Sequence, residues 1–154
     1  MAERVEREIS IENAHIFYRN FKGEEKKYNP AGSRNFCVEI PSDLASALQE
    51  EGWNVRISPP RTPDDEPIHY IQVSVSFRNI PPNIYLVTGR RRQRLTEETV
   101  DSLDYAEIKT VDLVIKPYNW EPGRVKAYLK TMYVEIIEDK FAAKWAKLEG
   151  PGEF

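Results

Sequence analysis

The stretch Val111–Asp139, VDLVIKPYNWEPGRVKAYLKTMYVEIIED, decides the fold of this chain. Apolar and polar residues alternate along both of its arms, and a Glu-Pro-Gly sequence at residues 121–123 separates the arms. Alternation over this length predicts two β-strands, and a Pro-Gly pair between them predicts a turn. We therefore expect the molecule to be organised around one long β-hairpin.

The two faces of the second arm differ in character, because every second side chain of a strand points to the same side. One face is predicted to pack in the core: Val125, Ala127, Leu129, Thr131 and Tyr133. The other face is cationic with a central ring: Arg124, Lys126, Tyr128, Lys130 and Met132. The first arm has the same cationic and aromatic character near the turn: Lys116, Tyr118 and Trp120. This composition is typical of a surface that follows a phosphate backbone while rings stack on unpaired bases.

Length and charge limit the possible architectures. A chain of 154 residues can form one well-buried core, so we expect a single domain. We place this domain at residues 9–148, with a flexible lead-in at 1–8 and a frayed C-terminus at 149–154. The net charge of −3 argues against coating of duplex DNA by bulk charge. Any nucleic-acid site must therefore be a local basic patch.

The single cysteine, Cys37, excludes an internal disulfide and leaves no cysteine cluster for zinc, which suits a reducing compartment. The N-terminal run MAERVEREIS lacks the apolar segment of a signal peptide. No window is apolar over the length needed to span a bilayer. We expect a cytoplasmic protein with no membrane contact.

The N-terminal part of the chain is predicted to contain a bent strand and a basic loop. Ile9–Phe21 has the composition of a strand, but its apolar residues change sides near Asn13, which predicts a bulge or bend there. Lys22–Arg34 contains two glycines and an Asn-Pro pair, so we expect a loop that could act as a binding arm.

A helix is predicted over Asp43–Glu51, with Ser42 as its N-cap and Gly52 at its C-terminal end. A helical turn is predicted over Thr96–Leu103, and Asp139–Leu148 is predicted to form a C-terminal helix. Further strands are expected at Asn35–Ile40, Trp53–Ser58, Ile71–Phe77 and Ile84–Thr88. Many short strands with few helices predict a mainly β fold. The best match is an OB-fold-like antiparallel barrel with one embedded short helix and a C-terminal helix.

Residue patterns typical of catalysis are missing from the sequence. His15 and His69 lie in different strand regions, without the spacing of a metal-binding motif. The acidic runs occur in a proline-rich loop and at a predicted helix start, where solvation explains them. The glycine patterns of nucleotide-binding loops are absent, and Cys37 lies in mid-strand. We therefore predict a non-enzymatic protein with no catalytic residues, no metal and no cofactor.

Basic and aromatic residues recur in four separate segments: Lys22–Arg34, Arg90–Arg94, Lys116–Trp120 in the first hairpin arm, and Arg124–Lys130 in the second. Any one of these segments alone could be a solvated edge, but together they favour binding of nucleic acid. Single strands are favoured over duplex, because exposed rings can stack on splayed bases and no recognition helix is present. DNA and RNA remain open as ligands. The candidate binding residues are Lys26, Lys27, Tyr28, Arg34, Arg90, Arg91, Arg92, Arg94, Lys116, Tyr118, Trp120, Arg124, Lys126, Tyr128 and Lys130.

Several runs of the chain resemble a family of small bacteriophage single-stranded DNA-binding proteins. The runs are YNPAGSRNFCVEI at Tyr28–Ile40, EGWNV at Glu51–Val55, IPPNIYLVTGR at Ile80–Arg90, and VDLVIKPYNWE with VKAYLKTMYV in the hairpin. The likeness covers Ile9–Glu138. It implies an oligonucleotide-binding-type barrel that protects or organises single strands in phage replication or recombination. Replication or recombination proteins are then possible partners, and an oligomer is possible.

A protein-interaction module is the alternative interpretation of the same hairpin. Exposed Trp, Tyr and Arg side chains are also the residues that dominate protein–protein interfaces. In that case a phage-encoded protein would use the basic and aromatic face to bind a host or phage protein. The salt dependence of the affinity distinguishes the two hypotheses. Added salt should weaken binding to nucleic acid steeply, because counterions compete for the phosphates, but should not weaken a protein–protein interface in this way.

Overall fold

The computed structural model describes residues 5–60, 62–78 and 80–137. In these ranges the chain forms one α-helix, one short 3-10 helix and nine strands. The elements are β1 (Ile9–Ile11), β2 (Ile16–Asn20), β3 (Arg34–Ile40), α1 (Ser42–Glu51), β4 (Val55–Ser58), β5 (Ile68–Val75), β6 (Asn83–Thr88), β7 (Arg91–Leu95), the 3-10 helix (Val100–Asp104), β8 (Ile108–Glu121) and β9 (Arg124–Ile136). The mainly β prediction is confirmed.

Some predicted features fall outside the described residues. The C-terminal helix at Asp139–Leu148 and the C-terminus at 149–154 lie outside them, as do residues 1–4 of the lead-in. The helical turn predicted over Thr96–Leu103 is present as the 3-10 helix, shifted toward the C-terminus. In the described part of the chain, no helix is long and apolar enough to cross a membrane.

The strands form one open sheet with β9 near its centre. The main path is β1-β8-β9-β5-β3-β2, while β4 pairs with β5, and β6 pairs with both β9 and β7. Most pairs are antiparallel, as expected, but β9 runs parallel to β5 and to β6. One edge of β9 therefore contacts β8, and its other edge contacts β5 first and β6 farther along.

The β8–β9 hairpin is present as predicted, but its faces exchange halfway along β9. Ile115 pairs with Leu129 and Val114 pairs with Thr131, so Lys130 is an extra residue that forms a bulge. Beyond this bulge Met132 and Val134 are buried, whereas Tyr133 is 39% exposed. The expected core positions of Thr131 and Tyr133 were wrong, because strict alternation in a sequence does not reveal a bulge.

The bend predicted near Asn13 is confirmed. β1 pairs with β8 and β2 pairs with β3, so the two halves of the predicted first strand join different parts of the sheet. Asn13 adopts a left-handed backbone conformation with φ of 50°. Its backbone N–H donates to Asp112 Oδ1 at 2.9 Å, which fixes the bend against β8.

Helix α1 positions the tip of the β8–β9 hairpin. Gly52 ends the helix with φ of 103°, as expected of a left-handed C-terminal glycine. Its carbonyl oxygen accepts a hydrogen bond from the Val125 N–H at 2.9 Å. A Cβ atom on Gly52 would collide with the carbonyl oxygen of Gly123, so the helix end and the turn are in direct backbone contact. The predicted N-cap was wrong, because Pro41 occupies that position and no side chain caps the helix.

Candidate nucleic-acid interface

An open groove of about 880 Å³ lies where the tip of the β8–β9 hairpin meets β4, β5 and the end of α1. Rings, cations and uncharged polar side chains make up most of its lining. The rings are Trp53, Tyr118, Trp120 and Tyr128, and the cations are Arg56, Arg124 and Lys126. The uncharged polar side chains are Ser33, Gln49, Asn54, Gln72 and Ser74. Five of the predicted binding residues are thus brought together in one concavity.

The rings of the hairpin tip are accessible to a ligand. Tyr118 is 55% exposed and Trp120 is 47% exposed. Tyr118 and Tyr128 meet edge to face, with ring centroids 5.7 Å apart and an interplanar angle of 88°. In this geometry the edge of one ring contacts the face of the other, so each ring keeps at least one face that the other does not cover. Trp53 differs from them, because it is buried in the core.

Cations lie directly beside these rings. Lys126 Nζ is 5.3 Å from the centroid of Tyr128, and Arg124 Cζ is 5.3 Å from that of Trp120. Arg124 also forms an exposed ion pair with Glu121, at 3.6 Å. In a single strand the phosphates lie alongside the bases, so a ring with a neighbouring cation can contact both parts of a nucleotide.

The far wall of the groove consists of residues that were not among the predicted ones. Arg56 lies on β4, and Gln72 and Ser74 lie on the outer face of β5. Ser74 pairs with Tyr128 across the parallel β5–β9 contact, so β5 joins the hairpin tip to the rest of the sheet. The sequence predicted a strand at Ile71–Phe77, but nothing local in the sequence indicated which other strand it would meet.

A second group of rings continues the surface away from the hairpin. The Phe17 ring lies 5.2 Å from Tyr70 and 4.9 Å from Tyr18. Tyr18 is 74% exposed although its φ of 49° is unfavourable for a tyrosine. Such strain costs about 1–3 kcal/mol and is concentrated at functional sites. We define Phe17, Tyr18 and Tyr70 as the β2–β5 ring cluster.

The sheet register connects this cluster to the groove. Phe17 pairs with Cys37, and Cys37 pairs with Gln72, which lines the groove. Arg56, also in the groove, pairs with Tyr70. Cys37 is buried, and burial raises the pKa of its thiol, while the positive charge of Arg56 acts in the opposite direction. The cluster and the groove are therefore adjacent parts of one outer surface.

The predicted binding loop lies beside the groove. It is closed by two backbone hydrogen bonds between Lys26 and Asn29, of 2.9 and 3.0 Å. The Asn29 amide group donates further bonds to the carbonyl oxygens of Glu24 and Ser33. Tyr28 is almost fully exposed, with Lys27 Nζ 5.4 Å from its ring centroid. Lys26, Lys27 and Tyr28 thus project from a hydrogen-bonded loop of which only Ser33 reaches the groove.

The remaining predicted residues do not line the groove. Arg34 lies over the ring of Phe77 and within 3.4 Å of the Glu97 carboxylate. Lys130, the bulge residue, forms an ion pair with Glu8 at 2.8 Å. Lys116 is half-buried on β8 and pairs with Tyr128. The arginines that follow Gly89 lie on the β6–β7 hairpin: Arg90, Arg91, Arg92 and Arg94.

The described residues contain no group of three or more His, Cys, Asp or Glu side chains that could hold a metal ion. The arrangement is instead one of exposed rings, adjacent cations and uncharged polar groups on an open sheet. These features define a surface suited to unpaired nucleic acid.

Comparison with known families agrees with this assignment. Residues 1–151 match the family model described as "Putative phage ssDNA-binding domain". The chain belongs to this family of phage single-stranded DNA-binding domains. No curated protein sequence matches the chain.

Two solved structures share the fold. One is the single-stranded DNA-binding protein from bacteriophage Enc34 in complex with ssDNA, with a TM-score of 0.54 and 15% identity over 88% of this chain and 89% of that chain. The other is a C-terminal truncation of the Enc34 protein, with a TM-score of 0.51 and 15% identity over 86% and 87% of the two chains.

Proposed function

We propose that this protein binds single-stranded DNA non-enzymatically and with little sequence specificity, through the groove at the β8–β9 hairpin tip. Its role would be to protect or organise single strands in phage DNA replication or recombination, in the host-cell cytoplasm. Membership of the phage ssDNA-binding family supports this function. The observation that supports the site is the placement of Arg124 and Lys126 beside the rings of Trp120 and Tyr128.

In this proposal the strand runs from the hairpin tip across the outer face of β5. Bases stack on Trp120 and Tyr128, and phosphates contact Arg124, Lys126 and Arg56. The β2–β5 ring cluster then receives the next bases, because Gln72 and Arg56 connect it to the groove. Stacking tolerates any base, since every base has a π face, and this accounts for the low specificity. Phage replication or recombination proteins acting on the same strands would be the partners.

We also propose that the sheet curls into an OB-fold-like barrel. The two ends of the strand path are β1 and β2. Only residues 12–15 lie between these strands, and a link of that length spans less than about 20 Å. The backbone of this link forms hydrogen bonds to strands near both ends of the path. The Ala14 N–H donates to the Val111 carbonyl on β8, and the His15 carbonyl accepts from the Glu39 N–H on β3. The short link supports a sheet whose ends approach each other.

Titration with oligonucleotides tests the proposed function. Fluorescence anisotropy of labelled poly-dT, mixed-sequence single strands and duplex should show tight binding of both single strands and much weaker binding of duplex. Trp120 is 47% exposed at the groove, so tryptophan quenching by stacked bases should accompany binding. Log affinity should also fall steeply with log salt concentration. Equal affinity for duplex, or no salt dependence, would favour the protein-interaction alternative.

A further inference from the structure

A second basic and aromatic surface lies on the β6–β7 hairpin. The rings of Tyr85 and Tyr133 are stacked, with centroids 5.0 Å apart and an interplanar angle of 17°. The guanidinium of Arg92 lies over Tyr85, with Cζ 4.9 Å from the ring centroid. We call this arrangement of guanidinium and two rings the Arg92–Tyr85–Tyr133 stack.

The sheet register places a second arginine, Arg94, on the same side of the sheet as this stack. Tyr85 pairs with Arg94 on β7 and with Tyr133 on β9, and directly paired residues share a face. Arg91 pairs with Thr88, which points to the opposite face from Tyr85, at the end of the hairpin next to Arg90. All four arginines of the hairpin are exposed. Charges on an edge strand also prevent sheets from aggregating, but that role requires no rings stacked beneath a guanidinium.

The stack is separated from the groove along β9. Tyr128 in the groove and Tyr133 in the stack are five residues apart, which corresponds to roughly 16 Å along a strand. Lys130 lies between them, and its charge is paired with Glu8 at 2.8 Å. Asp112 on β8 pairs with Tyr133, which adds a carboxylate on the β8 side of the stack. The positively charged surface is therefore interrupted between the groove and the stack.

Charge is distributed unevenly across the stack itself. The arginines lie on its β7 side, and the carboxylates of Asp112 and Glu135 lie on its β8 and β9 side. A strand that follows the arginines with its phosphates would place its bases over the rings and away from those carboxylates. An acidic peptide could use the guanidinium groups, but its carboxylate side chains have no flat π face to stack on the two parallel rings.

We propose that the Arg92–Tyr85–Tyr133 stack is a second binding site for single-stranded nucleic acid. One chain would then hold two segments of strand at once, one in the groove and one at the β6–β7 hairpin. This inference rests on the proposed function of the groove. Two linked sites raise the apparent affinity for a long strand above that of either site, because the second contact becomes intramolecular.

Stoichiometry with a short ligand tests this inference. An oligothymidylate of about five nucleotides, near the lower end of known site sizes, is titrated to saturation and counted by native mass spectrometry. Thymidylates cannot pair with each other, so each bound molecule occupies its own place on the protein, and loss of one molecule in a hairpin variant assigns that place to the hairpin. The wild-type chain should bind two, and the exposed double variant Arg92→Ala/Arg94→Ala should bind one. The Tyr128→Ala variant should bind one molecule at the hairpin as the wild type does, and should need an about five- to hundredfold higher concentration to fill the groove.

The control is Arg78→Ala, which removes an exposed arginine outside both surfaces and should keep two bound oligonucleotides. An Arg92→Ala/Arg94→Ala variant that binds as many oligonucleotides as the wild-type chain, whether one or two, overturns the second site and leaves the groove intact. A wild-type chain that binds none contradicts the proposed function itself. Binding of oligoglutamate at the hairpin in place of the thymidylate also overturns the inference, in favour of an acidic protein partner. Circular dichroism melts establish that each variant is folded.

Discussion

The groove and the Arg92–Tyr85–Tyr133 stack contain the same types of residue in different geometries. In the groove Tyr118 and Tyr128 meet edge to face, and Trp120 is about half exposed. At the hairpin the rings of Tyr85 and Tyr133 are nearly parallel and stacked, and the Arg92 guanidinium lies over Tyr85. Stacking of Tyr85 on Tyr133 already covers one face of each ring, so less ring surface is left there for a base. Composition identifies both surfaces, whereas ring geometry predicts that the groove binds more tightly.

The largest effect is expected from a substitution that disturbs the groove and leaves the Arg92–Tyr85–Tyr133 stack unchanged. Gly52→Ala forces a side chain into a left-handed conformation and against the Gly123 carbonyl at the hairpin turn. Strain and overpacking together should lower the free energy of unfolding by about 2–5 kcal/mol, and the displaced tip should weaken binding in the groove. Thermal melts and short-oligonucleotide titrations measure both effects. Gly32→Ala is the matched control, because it also has a positive φ, of 87°, but its Cβ meets no atom within 4 Å.

Removal of one stacking ring is the next largest change. Tyr128→Ala, and separately Trp120→Ala, should weaken binding about five- to a hundredfold, because stacking contributes roughly 1–3 kcal/mol per base. Tyr105→Ala is the control, since Tyr105 is highly exposed but does not line the groove. Anisotropy gives the affinities, and melting curves give the stabilities. If the Tyr128 variant melts earlier but binds as well as the wild type, this face of the hairpin is structural.

Arg56→Ala tests whether the wall that β4 contributes contacts phosphate. Loss of one phosphate contact should reduce the slope of log affinity against log salt by about 0.7. The comparison variant is Arg78→Ala, whose exposed guanidinium lies outside both surfaces. An unchanged slope for Arg56→Ala would show that its charge contacts no phosphate.

The smallest effect is expected at the boundary between the two surfaces. Lys130 already pairs with Glu8, and such an exposed pair contributes only about 0.2–1 kcal/mol to stability. Lys130→Ala should therefore change oligonucleotide affinity by no more than about twofold. A tenfold loss measured by anisotropy would mean that the strand crosses the bulge, so that groove and stack form one continuous site.

Local patterns predicted much of the fold and part of the site. Alternation and the Pro-Gly turn identified the β8–β9 hairpin, the change of sides at Asn13 identified the bend, and Gly52 was recognised as a helix end. The bulge at Lys130 was missed, because an inserted residue breaks the alternation without a distinctive residue type. As a result Met132 and Tyr133 were assigned to the wrong faces.

The sequence by itself therefore determined a mainly β protein built on a hairpin whose tip has exposed rings and cations. These properties depend on neighbours within a strand or a turn, so they can be recognised locally. Only the tertiary structure decided which other residues complete the groove, because Arg56 and Gln72 meet the hairpin through the pairing of β4 and β5. It also decided that Arg34 and Lys130 are paired, with Glu97 and Glu8. These partners lie 63 and 122 positions away in the chain, and contacts at that separation are set by the packing of the whole sheet.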